Sequence, residues 1–123
     1  MDPRVRRAVD LVVAALNDGR MLPLDAVCQT VNLSKSRIRH LFKMELGTSF
    51  GNYVRQKQME HARKLLESSF LNVKQVMARA GFNDESHFTR DFKRVYGCSP
   101  TRYRVDYWKQ TEAGHDSDAS AAQ

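Results

Sequence analysis

Acidic residues are the shortage that matters most in this chain: 14 Asp and Glu stand against 20 Lys and Arg in 123 residues, a formal charge of +6. The shortage is local. Residues 111–123 contain Glu112, Asp116 and Asp118 and no Lys or Arg, so residues 1–110 hold all 20 cations against 11 acids, a net +9. A body so charged attracts polyanions by releasing their counterions. The tail, poor in apolar residues, is expected to stay unfolded.

Other absences remove whole classes of function. No run of 18 apolar residues is present, so no membrane-spanning helix is expected. Met1 to Arg7 is charged and lacks the apolar run of a secretory signal, which predicts a cytoplasmic protein. Only Cys28 and Cys98 occur, without a CxxC partner, which argues against a disulfide framework or zinc site and for reduced thiols packed as small hydrophobes. There is no HExxH, no Gly-rich phosphate loop and no Ser-His-Asp arrangement, and His40, His61, His87 and His115 are scattered. We therefore expect no enzyme activity, no cofactor and no metal. The length fits one domain, or two small lobes sharing a helix, and leaves no material for a large cleft.

What the chain does have is a repeat. The pattern Phe-Lys, three residues, Gly, one residue, Ser, three residues, Tyr runs from Phe42-Lys43 through Gly47 and Ser49 to Tyr53, and again from Phe92-Lys93 through Gly97 and Ser99 to Tyr103. Ahead of each copy lie a short apolar-periodic segment, a polar turn and a basic helix. The repeated object is a helix-turn-helix unit.

The helices follow from caps and periodicity. Asp2-Pro3 starts one whose stripe is Val5, Ala8, Val9, Val12, Val13 and Leu16, and Gly19 stops it. Pro23 opens a short helix that turns Leu24, Val27, Cys28 and Val31 inward. After the turn Asn32-Leu33-Ser34, Ser34 caps a helix from Lys35 to about Leu46, ended by Gly47. A longer helix, about 49–68, is expected to direct Phe50, Tyr53, Val54, Met59, Ala62, Leu65 and Leu66 inward. At ~27 Å it could serve as a strut between the two lobes. Asn72 caps a short helix with Val73, Val76, Met77 and Ala80 inward. Gly81-Phe82-Asn83 turns into a helix from Asp84 to Tyr96 that buries Phe88, Phe92 and Val95. Ser99-Pro100 starts a last helix through Trp108. The fold expected is all-α, with helix-turn-helix subdomains at about 23–46 and 73–96 within residues 1–110.

The outward faces of the two candidate recognition helices carry the chemistry. In the first, Ile38, Leu41, Phe42 and Glu45 share the inner side. Ser36, Arg39, His40 and Lys43 lie opposite, with Arg37 on the flank. In the second, Ser86, Thr89, Arg90 and Lys93 are presented. Scaffold residues agree between the copies while the middle pair differs, Arg39-His40 against Thr89-Arg90, as two readers of different base sequences require. Arg39 and Arg90 suit guanine O6 and N7, unless they reach only phosphate. Ser36, Ser86 and Thr89 can donate or accept. Glu85 could accept from cytosine N4 or simply complement the helix N-terminus. Lys43, Lys93, Arg102 and Arg104 are expected at phosphates. Phe42, Phe92, Tyr53, Tyr103 and Trp108 sit at core spacing and are read as packing.

The stretch Gly81-Phe82-Asn83-Asp84-Glu85-Ser86-His87-Phe88-Thr89-Arg90-Asp91-Phe92-Lys93, continuing to Gly97, Ser99-Pro100 and Tyr103-Arg104, resembles the signature of the AraC/XylS family of bacterial transcription regulators. The likeness covers about residues 5–108. It implies a seven-helix domain whose two recognition helices enter successive major-groove turns of an asymmetric site. Family base-reading positions would fall on Ser36, Arg37, Arg39 and His40, and on Glu85, Ser86, Thr89 and Arg90. Two residues depart from the pattern: Gln58 stands where many members carry Arg, and Met77 where a small Ala is common, which asks the second lobe to take extra volume.

Double-stranded DNA is thus the expected partner, bound by the chain as a monomer. Two alternatives remain at this level. The chain could be the output module of a larger ligand-sensing regulator, or an interaction adaptor docking one basic unit on a protein such as RNA polymerase.

Overall fold

The computed structural model describes the backbone of residues 1–122 and the side chains of residues 1–112. Among these residues there are seven α-helices and no strand: α1 Pro3–Asn17, α2 Leu24–Val31, α3 Lys35–Leu46, α4 Phe50–Ser68, α5 Val73–Arg79, α6 Glu85–Tyr96 and α7 Pro100–Ala122. The last helix was expected to end at Trp108 and instead runs to Ala122. No proline follows Trp108, and Lys109, Gln110 and Glu112 are good helix formers. The expectation of an unfolded tail over 111–123 falls on side chains that, from 113 onward, lie outside the described residues.

The chain divides into two units, residues 1–61 with 79–81 and residues 62–78 with 82–123. Helix α4 contributes its first part to one and its last part to the other.

The repeated pattern has a physical meaning in each unit. Phe42 is fully buried, the Gly47 N–H donates to the Lys43 carbonyl at 3.1 Å, and Gly47 closes α3 at φ +71°. Ser49 Oγ then accepts the Asn52 N–H at 3.1 Å to cap α4, and the Tyr53 ring packs edge-on against Phe42 at 5.7 Å. The second copy repeats every step. Phe92 is fully buried, Gly97 N–H donates to the Lys93 carbonyl at 2.8 Å with φ +84°, Ser99 Oγ accepts the Arg102 N–H at 3.2 Å, and Tyr103 lies edge-on to Phe92 at 5.6 Å. Phe, Gly, Ser and Tyr thus form one device: an anchor, a left-handed stop, a cap for the next helix and an aromatic clasp back onto the anchor.

In the first unit Asp2 caps α1 by accepting the Arg4 N–H at 2.8 Å, and Val5, Ala8, Val12, Ala15 and Leu16 form its buried stripe. That stripe meets Val27, Cys28 and Val31 of α2 and Ile38 and Phe42 of α3. Truncating a buried Phe such as Phe42 to Ala costs about 3–5 kcal/mol in such a core. Glu45, which shares the inner side of α3 by periodicity, is exposed and accepts the Asp2 N–H at 2.6 Å. The carboxylate ties the start of α1 to α3. Gln58 of α4 is buried, and its amide donates to the carbonyls of Ala80 and Gly81, both at 3.2 Å. Gln58 is thus used for an internal bond, which an uncharged amide makes with little desolvation cost.

In the second unit Leu66, Val76, Phe88 and Phe92 are fully buried. Val95, expected inside, is 57% exposed. It sits in the last turn of α6, and α7 packs instead on the Phe92 and Tyr96 side, where Tyr103 lies 5.6 and 5.9 Å from the two rings. Met77 is only half-buried, so its bulk need not be fitted wholly into the core. Arg63 pairs with Glu67 at 2.8 Å, and the Tyr103 hydroxyl donates to the same carboxylate.

Candidate nucleic-acid interface

Two polar helix faces, one in each unit, are built the same way. Asn32, at φ 57°, closes α2, and Leu33 N–H reaches back to the Cys28 carbonyl at 3.1 Å. Ser34 Oγ then accepts the Arg37 N–H at 3.1 Å and starts α3. In the second unit Phe82 N–H reaches back to the Met77 carbonyl at 3.0 Å, and Asp84 Oδ1 accepts the His87 N–H at 2.9 Å to start α6. The second turn is two residues longer, Ala80-Gly81-Phe82-Asn83 before the cap against Asn32-Leu33. That hydrogen bond, aided by the charges of His87 and Arg90, holds the Asp84 carboxyl below its ordinary value of 3.8.

On α3 the side chains of Ser36, Arg37, Arg39, His40 and Lys43 are all exposed. None of the five makes a side-chain hydrogen bond or ion pair among the described residues. Arg39 and Lys43 border an open hollow of about 560 Å³ completed by Leu24, Ser49, Phe50 and Gly51. On α6 Glu85, Ser86, Arg90 and Lys93 are exposed, and Thr89 is half-buried. Among the described residues Arg37, Arg39 and Lys43 of α3 and Lys93 of α6 have no side-chain partner, whereas Lys35 pairs with Asp25 at 2.9 Å and Arg90 and Arg94 are engaged. Arg90 Nη2 lies 3.4 Å from His87 Nδ1 and its Nε 4.0 Å from Asp91, while Arg94 pairs with the same Asp91 at 3.4 Å. His87 and Asp91 were missed as partners of a reader. The i−3 and i+1 spacing from Arg90 was the signal available.

Two cations expected at phosphates are already engaged. Arg102 is exposed and donates to Asp106 at 3.3 Å, an intrahelical surface pair that yields easily. Arg104 is different, since its guanidinium is turned to the protein's own carbonyls. Its guanidinium donates to the carbonyls of Leu66 at 3.0 Å, Ser69 at 3.2 Å and Leu65 at 3.5 Å, and to that of Leu71. It also lies 5.0 Å over the Trp108 ring. Nε and Nη2 serve carbonyls at and just past the end of α4, and Nη1 that of Leu71 beyond it. Val54 stands fifty residues upstream, so the first copy offered no hint of this role.

A family model described as a helix-turn-helix domain matches residues 27–106. The Arabinose operon regulatory protein of Escherichia coli (strain K12) is 35% identical over 105 residues, covering 85% of this chain and 36% of that protein. The chain belongs to the AraC-type helix-turn-helix family. The HTH-type transcriptional activator RhaR of Salmonella typhi is 33% identical over 98 residues, 78% of this chain and 35% of that one. The chain thus spans about a third of the length of these AraC-type relatives. Among solved structures, an AraC-type transcriptional regulator from Chromobacterium violaceum superposes with a TM-score of 0.79 at 26% identity, covering 85% of this chain and 92% of that one. The C-terminal domain of AraT, a response regulator from Geobacillus stearothermophilus, gives 0.74 at 31% identity, covering 86% and 87%. The DNA-binding domain of AdpA, solved with a target DNA, shares the fold with a TM-score of 0.77 at 23% identity over 89% of this chain and 96% of that one. No described helix is long and apolar enough to cross a membrane.

Proposed function

We propose that this chain is a sequence-specific reader of duplex DNA in bacterial transcription regulation, with α3 and α6 each laid in a major-groove segment. AraC-type proteins are transcription regulators and not enzymes, and DNA binding comes with that membership. The observation that carries the finer reading is the pairing of two like-built helix-turn-helix units whose scaffold repeats while their outward residues differ. The DNA-bound AdpA domain of the same fold supports duplex DNA as the ligand.

In this reading Arg39 and Arg90 donate bidentately to guanine O6 and N7, each adding about 1–3 kcal/mol of discrimination. Ser36, Arg37 and His40 contact further base edges from α3, and Glu85, Ser86 and Thr89 from α6. Glu85 accepts from cytosine N4, and the Thr89 methyl packs on thymine. Lys43 and Lys93 neutralise phosphates, joined by Arg102 when it leaves Asp106. One chain holds both readers, so a monomer suffices, acting in the cytoplasm where the chromosome is. Occupancy becomes regulation through RNA polymerase at the neighbouring promoter.

Selection of bound duplexes from a randomised library at near-physiological salt tests the proposal. A motif of two distinct boxes supports it. A single box, or no enrichment over input, counts against two readers in this chain.

A further inference from the structure

The internal repeat makes one departure conspicuous. Fifty residues separate equivalent positions of α3 and α6, and at the position of Asp91 the first copy carries Leu41. Leu41 packs against the first unit's core. Asp91 is three-quarters covered, and the cations recorded against it are Arg90 and Arg94, at 4.0 and 3.4 Å. The neighbouring exchanges run the same way. His87, whose Nδ1 meets Arg90, replaces Arg37, and the cap Asp84 replaces Ser34. From Ser34 through Leu46 the first reader has four cations and one acid, a net +3. From Asp84 through Tyr96 the second has three cations and three acids, a net of zero.

Charge on a reading helix has two uses with opposite consequences. A free cation neutralises whichever phosphate is near and raises affinity for every sequence. A cation already paired within the protein loses part of its pull on a solvated phosphate oxygen, while a bidentate guanine edge offers two acceptors matched to the guanidinium fork. Arginine cannot accept a hydrogen bond, so in the contact with His87 it is Nδ1 that accepts.

We propose that Asp91, with His87, is a specificity-setting residue of α6: by holding Arg90 and Arg94 it withholds them from phosphates, so that the second reader adds discrimination with little sequence-independent affinity. The inference rests on the DNA-reading function proposed above. Asp91 acts through the arginines and is a positioning residue, not a base reader.

The test is Asp91→Asn in the full chain, with Asp91→Glu as the conservative control. Affinity is measured against salt on the selected duplex and on an unrelated duplex. The Asn variant is expected to bind the unrelated duplex several-fold more tightly, and its slope of log affinity on log salt should steepen by about 0.9 for each freed cation. Its preference within the α6 box should flatten, that within the α3 box should persist, and the Glu variant should stay near the parent. His87→Ala, which frees Arg90 alone, should show part of the same effect. An unchanged salt slope, or weaker binding to every duplex, would overturn the assignment. If the parent chain itself prefers no sequence, the reading function fails first; a parent with two boxes and an Asn variant without change sinks only this inference.

Discussion

The side-chain amide of Gln58 donates to the carbonyl of Gly81 at 3.2 Å, and Gly81 follows α5 in the left-handed region at φ +87°. A Cβ on Gly81 would lie 2.7 Å from that amide nitrogen and 2.6 Å from Met21 Sδ. Gly81→Ala therefore meets backbone strain of about 1–2 kcal/mol and must also displace a buried, hydrogen-bonded amide. We expect a total loss of about 2–3 kcal/mol in urea unfolding. Gln58→Ala should cost about 1–3 kcal/mol by leaving the Ala80 and Gly81 carbonyls short of a donor. The two losses should combine to less than their sum, because one substitution already removes what the other disturbs. Full additivity would show that the contact is incidental.

Arg104 gives a prediction that separates folding from DNA binding. Its guanidinium serves four carbonyls at and beyond the end of α4 and stacks over Trp108. Arg104→Lys keeps the charge but not the planar fork, and should lower stability by about 2 kcal/mol, read from thermal unfolding. The salt slope of DNA binding by the folded variant should stay at the parent value. A slope shallower by about 0.9 would instead return Arg104 to the phosphate contacts.

Asp84 couples α6 to pH. The His87 N–H and the nearby charges of His87 and Arg90 hold its carboxyl below the ordinary 3.8, so folding is favoured while it is ionised. That contribution is fully present above the unfolded-state value and is lost as pH falls through the depressed folded value, a window beginning near 4 and extending downward. Asp84→Asn keeps an N-capping oxygen but cannot titrate. Its acid-unfolding curve, followed by circular dichroism, should be flatter below pH 4 than the parent's. Parallel curves would mean that the cap's charge has no weight.

Most of the helix plan was legible because it is written in local chemistry. Ser34, Gly47, Ser49, Gly97 and Ser99 stand where caps and left-handed stops require them, and each forms the bond expected of its type. The outward faces of α3 and α6 followed from the same periodicity. Its failures share one physical origin, since periodicity gives the direction of a side chain but not its neighbour. Val95 stands where a core residue should, yet more than half of it is exposed; Arg104 looks like a surface cation, yet four carbonyls wait beside it. Gln58 was noticed only as a departure from a family habit, and its bond to residues 22 and 23 positions further on is a tertiary fact.

The division between base readers and phosphate clamps leads to a comparison within one experiment. Arg39 and Lys43 lie on the same face of α3, one turn apart, both exposed and without a side-chain partner among the described residues. A cation at a guanine edge and a cation at a phosphate both strengthen binding, but only the first distinguishes bases. Arg39→Ala should lose about 1–3 kcal/mol on the preferred duplex and little on one altered at the base it reads, flattening preference at that position in the α3 box. Arg90→Ala should do the same in the α6 box. Lys43→Ala should weaken all duplexes alike and reduce the salt slope by about 0.9. Competition binding on a panel of single-base variants decides among these, and equal effects of all three substitutions on every duplex would leave Arg39 and Arg90 as phosphate contacts.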